Sequence, residues 1–225
     1  MKWLNWSGGK KSTTLSSLVA DYIPFVAPHC GDHNGYSDEQ AAENLSYFLE
    51  HKQDRLNQLC KLLTPFSINL HKTLRKGDYR PLVKSLYQWS RDHWPTAIKH
   101  ELATREVWRN SNRQGDQILY SVALDVGIIL GEIIINRKPS YSWGLDLDRQ
   151  NIDDQMPTAR RIVLLAASQI HSDKTVLIDC EVVSASIIFN TSPTYSVMNV
   201  WLNVVNDAVS GLTEGAWATE KSSDI

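Results

Sequence analysis

Two carboxylates interrupt the most apolar stretch of the chain. Asp125 and Glu132 stand seven residues apart in ILYSVALDVGIILGEIII, residues 118–135. That spacing is close to two helical turns and puts both near one face. Paired carboxylates in apolar surroundings are the raw material of acid–base hydrolysis. The same pair can equally meet arginines in buried ion pairs that fix packing. The second reading is favoured, with Arg105, Arg109, Arg160 and Arg161 as the expected partners. A second cluster, HCGDH at 29–33, gathers two histidines, a cysteine and an aspartate. These are zinc-ligand types, and Cys30 beside His29 or His33 is a nucleophile–base combination. A structural zinc site needs four ligands, whereas His51, His71, His93, His100 and His171 are scattered. A polar loop bonded to its own backbone is therefore expected, with no metal. The third cluster is WGLDLDRQNIDDQ, residues 143–155, with Asp146, Asp148, Asp153 and Asp154 opposed by Arg149 alone. A calcium loop needs oxygen ligands at alternate positions and then a glycine; Gln150 takes the third position and no glycine follows. What remains is either a solvated acidic loop or a docking surface for a basic partner, with Trp143 as its anchor.

The glycine pair near the start invites a nucleotide reading. Ser7-Gly8-Gly9-Lys10-Lys11-Ser12 fails the Walker pattern, which needs a glycine where Leu4 stands and a Ser or Thr where Lys11 stands. It is similar to the S-G-G-x-D-S loop of the PP-loop ATP pyrophosphatases, except that Lys11 replaces the aspartate tied to metal-nucleotide binding. That family implies a buried strand before the loop and a parallel α/β sheet after it. Residues 1–6 are too short and polar for the strand, and helix follows helix. A polar tail is expected at 1–11, with no cofactor.

The elements that must position these clusters read as mainly helical. Ser37 with Gln40 forms a capping box ahead of a long stripe: Ala41, Leu45, Phe48, Leu49, Leu56, Leu59, Cys60 and Leu63. Residues 12–25 suggest a first short helix. Residues 78–94 suggest another, with Pro81 in the first turn and Pro95 at the stop. Thr96 is expected to cap the next, towards Trp108. Residues 114–136 predict a long helix apolar on most of its circumference. After Pro139 the pattern alternates: Tyr141, Trp143, Leu145 and Leu147 fall on one side of a strand that 160–167 can pair with. Residues 175–189 are compatible with strand or helix. Residues 194–212 predict a last helix, with Trp201 on its stripe and Gly211 near its end. The expected fold is mainly α, a helical domain with a small antiparallel β element in the last third; α+β is the alternative. One globular domain over 12–217 is expected, between tails at 1–11 and 218–225.

Totals narrow the function classes. The 225 residues are 42% hydrophobic and 21% charged, with net charge −2. That is a globular composition without the basic excess of a nucleic-acid binder. Three cysteines, widely separated, argue against a disulfide framework and for a reducing, cytoplasmic compartment. The start lacks the apolar core of a secretory signal, and Asp125 and Glu132 make the 118–135 stretch a poor membrane span. Eight tryptophans are the one compositional oddity.

The block GEIIINRKPSYSWGLDLD, followed by MPTARRIVLL, resembles uncharacterised bacterial proteins of toxin-immunity type, over roughly 94–165. The resemblance implies a protein that neutralises a toxin domain by occluding it, and it carries no catalytic residue. The leading expectation is thus an immunity-type inhibitor of a basic toxin domain, acting through Trp143, Asp146, Asp148, Asp153 and Asp154. The alternatives are a hydrolase-type enzyme using Asp125 and Glu132 or the 29–33 loop, and a structural or scaffold protein. The partner's identity and the oligomeric state stay open.

Overall fold

A computed structural model describes residues 14–70, 77–168, 175–190 and 198–213. The glycine-lysine segment 7–12 and the tail at 218–225 lie outside the described residues. The fold is mainly helical, with a small antiparallel sheet in the C-terminal part. Helix α1, Leu15–Val19, is shorter than the expected 12–25 helix. Ile23 precedes Pro24, which disfavours the helical region there. The chain runs on extended, burying Tyr22 and Phe25 and leaving Ile23 exposed.

Helix α2, Asp38–Leu63, starts at the expected box: Ser37 Oγ accepts from the Gln40 amide and Gln40 Oε1 accepts from the Ser37 amide. Of its stripe Ala41, Phe48, Leu56, Leu59 and Leu63 are buried, Leu45 and Cys60 are half-buried, and Leu49 faces outward. Helix α3, Arg80–His93, has Pro81 in its first turn and buries Leu82, Val83, Leu86 and Trp89. The helix expected from Thr96 is broken instead into single turns at Trp94–Thr96 and His100–Leu102, then α4, Arg105–Arg109. Thr104, not Thr96, caps α4, and Tyr120 holds the stretch before it by donating to the Leu102 carbonyl.

Helix α5, Leu119–Arg137, forms the axis of the core and packs against α2 and two later helices, α7 (Cys180–Phe189) and α8 (Val200–Ser210). The stretch Gly115–Arg137 is long and apolar enough to cross a membrane by length and composition, but it lies largely buried inside the fold. Two glycines one turn apart permit that packing. A Cβ on Gly127 would meet the Cys180 carbonyl at 2.8 Å, and one on Gly131 would meet the Trp143 ring at 2.2 Å.

Strands β1 (Ser142–Leu145), β2 (Ile162–Ala167) and β3 (Thr175–Ile178) form an antiparallel sheet in chain order. Trp143 stands opposite Leu164, and Leu164 opposite Ile178. A short helix, α6 (Arg149–Asp153), lies in the β1–β2 connection. The ambiguous run 175–189 is both structures in turn. Asp179 divides it by accepting from the Val182 amide as the N-cap of α7. Helix α8 closes at Gly211, in the left-handed region at φ 80°; Leu212, expected on its stripe, is exposed.

The described tryptophans explain much of the compositional excess. Trp89, Trp94 and Trp201 are buried in a chain of ring contacts, each step 5.8 Å between centroids. They serve the core, where offset and edge-on aromatic pairs stabilise beyond their buried area.

Candidate functional site

Asp125 and Glu132 do not converge on a substrate. Both turn to α2. Arg55 Nε donates to Asp125 Oδ1 at 2.9 Å and Arg55 Nη2 to Oδ2 at 2.6 Å. Tyr22 donates its hydroxyl to the same Oδ2, and Arg55 Nη1 donates to the Ile23 carbonyl. Burial pushes the Asp125 carboxyl up to about 6, against the pull of Arg55 and Tyr22. Seven residues on, Glu132 Oε1 accepts from Lys52 Nζ at 2.6 Å and from the Trp143 indole at 2.8 Å. The ion-pair reading holds, but the partners differ from those expected. Lys52 and Arg55 lie one turn apart on α2, so one face of that helix meets both carboxylates.

Of the five residues expected to dock a partner, two are committed inside the fold. Trp143 is half-buried, with its ring against Phe48 at 5.0 Å and over Gly131. Asp146 is 2% exposed. Its carboxylate accepts from Asn151 Nδ2 at 2.9 Å and from the Thr158 hydroxyl at 2.6 Å. Its backbone carbonyl accepts from the Arg160 amide at 2.7 Å. Asp146 is thus the buried post around which the 146–160 loop is built. The remaining three, Asp148, Asp153 and Asp154, are exposed. Asp148 caps α6 by accepting from the amides of Gln150 and Asn151. Arg149, the one cation expected to offset them, reaches across to Asp38 on α2 at 2.9 Å, and Arg160 pairs with the same carboxylate at 3.0 Å. At the two shoulders of α6 stand Leu147 and Met156, large apolar side chains exposed at 40% and 38%. A closed loop with its ends joined and its arginines tied back presents three carboxylates and two apolar side chains together.

The 29–33 segment forms one wall of a cleft. Asn44 on α2 clamps it from both sides, accepting from the His29 amide at 2.9 Å and donating to the His29 carbonyl at 3.0 Å. Tyr36 bonds the carbonyls of His29 and Gly31, and Cys30 the carbonyl of Ala27. His29 turns out to Glu43 at 2.6 Å. Among the described residues no three His, Cys, Asp or Glu side chains gather where a metal could sit. His33 is 4% exposed and also lines the cleft, and its Nε2 has no hydrogen-bond partner among the described residues. Burial and the neighbouring Arg161 push its imidazole down to about 4, Asp32 pulling weakly the other way.

The opposite wall is built from arginines that the sequence keeps apart. Arg109 and Arg113 come from α4 and the turn after it, Arg160 and Arg161 from the entry to β2. Arg161 binds Asp179 and Glu181, and its guanidinium lies 4.5 Å from the Trp108 ring centre. Burial disfavours its charge, yet Asp179 and Glu181 hold it well above the ordinary range. Arg113 binds Glu181 at 2.6 Å, while its Nε is buried without a partner. Burial alone would raise the Glu181 carboxyl, but Arg113 and Arg161 hold it below the usual range. Arg113 and Arg160 both hold φ 57°, a left-handed conformation that costs a non-glycine residue about 1–2 kcal/mol. No local motif announces this cleft. Its legible parts were the 29–33 loop and the ArgArg pair at 160–161. The chain matches no family model, no curated protein and no solved structure.

Proposed function

We propose that this protein is a binding protein of immunity type, which occludes a basic toxin domain through the 147–156 loop. One observation carries the reading: Leu147 and Met156 are exposed on either side of Asp148, Asp153 and Asp154, on a loop pinned by the buried Asp146. Apolar side chains inside a charged rim are the anatomy of a protein contact, and carboxylates steer a cationic partner into it. A loop fixed before contact loses little freedom on binding. The resemblance of 94–165 to immunity-type proteins points the same way. The hydrolase reading on Asp125 and Glu132 has no support, since both carboxylates are consumed by α2 and Trp143.

The test is paired capture and rescue. The protein and its Leu147→Asp/Met156→Asp variant are used as baits in the native cell, and each captured domain is then co-expressed with both. A basic, growth-arresting domain held and neutralised by wild type and not by the variant supports the proposal. Captured partners that bind and behave identically with both baits contradict it.

A further inference from the structure

We infer that Asn34–Gly35 is a site of spontaneous modification, at which the folded protein converts Asn34 to aspartate and isoaspartate. It is the one Asn-Gly pair in the chain. Glycine has no Cβ, so the amide nitrogen that follows Asn34 is unshielded. The fold itself does not ask for glycine at 35. Its φ is not positive, and a Cβ added there would meet nothing within 4 Å. Gly35 is exposed, and the side chain of the half-buried Asn34 has no hydrogen-bond partner among the described residues. Other asparagines are held. Asn44 has both side-chain amide atoms bonded to the His29 backbone, and Asn110 Nδ2 donates to the Glu106 carbonyl at 3.1 Å.

The Gly35 amide nitrogen attacks Cγ of Asn34. Its proton passes to water or hydroxide, the new N–Cγ bond closes a succinimide ring, and the Cγ–Nδ2 bond breaks as ammonia leaves. Water then adds to either ring carbonyl. Opening at one gives aspartate; opening at the other gives isoaspartate, whose side-chain carbon has entered the backbone. Both products gain one negative charge. Local structure sets the rate. Residues 33–35 form a single turn in which the Gly35 amide donates to the Asp32 carbonyl at 3.0 Å. That bond must open before the nitrogen can attack. The turn has few other fastenings: Asp32 Oδ1 accepts from the Asn34 amide at 3.1 Å, and the Tyr36 amide donates to the His33 carbonyl at 3.1 Å. A short exposed turn opens at far lower cost than a core element. The added charge is favoured there, because Arg160 Nη1 already reaches the Asn34 carbonyl at 3.5 Å. Isoaspartate also lengthens the backbone next to His33 and so disturbs the wall of the cleft that this turn forms.

The experiment incubates the full-length protein in mildly alkaline buffer. It follows the tryptic peptide that spans both Asn34 and Asn44 by fragmentation mass spectrometry, with isoaspartate read by enzymatic carboxyl methylation. Asn34 is expected to show the mass change of amide to acid while Asn44 stays intact. Gly35→Ala, which the open space around residue 35 accommodates, should slow the conversion several-fold or more. Asp32→Ala, which removes the side-chain cap of the turn, should speed it about fivefold, the worth of one such cap. Asp32→Asn, which keeps a cap, should leave the rate unchanged. If Asp32→Ala fails to fold, wild type and Gly35→Ala still decide. The inference is overturned if Asn34 stays intact over the time in which the urea-unfolded chain converts there. Conversion of Asn44 as fast as Asn34, or Gly35→Ala no slower than wild type, overturns it equally.

Discussion

Arg55 and Asp125 meet through two parallel hydrogen bonds in a place where neither side chain reaches water, at 4% and 0% exposure. The carboxylate's remaining partner is Tyr22, and the guanidinium's is the Ile23 carbonyl. The pair joins α2, α5 and the extended segment after α1 at one point.

Removing one member leaves the other charged and buried. Asp125→Asn is expected to cost about 3–5 kcal/mol of unfolding free energy, and Arg55→Met a similar amount. Replacing the whole set by Tyr22→Phe, Arg55→Met and Asp125→Leu should recover most of that loss, since well-packed apolar groups substitute for buried ion pairs. Urea unfolding of the single and triple variants checks this. A triple variant no more stable than the singles would mean that the pair contributes more than mutual compensation.

Gly131 is predicted to be intolerant for a reason that can be reversed. Alanine there gains about 1 kcal/mol of helix propensity. Its Cβ, however, would stand 2.2 Å from the Trp143 ring, which is held by Phe48 and by its bond to Glu132. Overpacking of that kind costs about 1–3 kcal/mol, so the net effect is a loss. In a Trp143→Ala background the same substitution should become neutral or stabilising. A double-mutant cycle on melting temperature reads the coupling directly, and a cycle that closes to zero would place the ring away from α5.

His33 gives the protein a pH signature. Its folded pKa is about 4, below the ordinary value of 6.5. As pH falls through 6.5 the unfolded chain takes up a proton that the folded one refuses. The contribution of His33 is therefore full above pH 6.5 and lost as pH drops towards 4, by up to about 3 kcal/mol. Asp125 acts with the opposite sign between its ordinary range and about 6, because its folded pKa is raised. The signal is thus the difference between wild type and His33→Gln in denaturant titrations from pH 7 to pH 4. A difference independent of pH would mean that His33 is not buried in its neutral form.

The long helices were legible because their signals are local. Ser37 and Gln40 are three residues apart, and Pro81 sits inside the turn it starts. Asp179 was an equally local cap, but it stands within a β-branched run, where strand and helix periodicities cannot be told apart over so few residues. The buried ion pair was legible as chemistry and not as geometry, since seventy residues separate Arg55 from Asp125. Alternation held at β1, where Tyr141 is buried and Trp143 packs against the core, and failed just past the strand's end at Leu145, where Asp146 is buried and Leu147 exposed. An aspartate buried beyond a strand's end looks in sequence like one more member of an acidic surface run. The cleft was the least visible part, because its arginines and His33 come together only through α5 and the sheet.

The loop held by Asp146 carries the proposed contact. Asp148, Asp153 and Asp154 are expected to steer a basic partner, and asparagine at 148 preserves the cap of α6. The direct measurement is association kinetics of the captured partner domain with wild type and with single, double and triple Asp→Asn variants at these positions, at low and at high salt. The association rate is expected to fall with each charge removed, and the difference to close at high salt, where long-range attraction is already screened. Equal association rates for wild type and the triple variant at low salt would contradict the proposed contact.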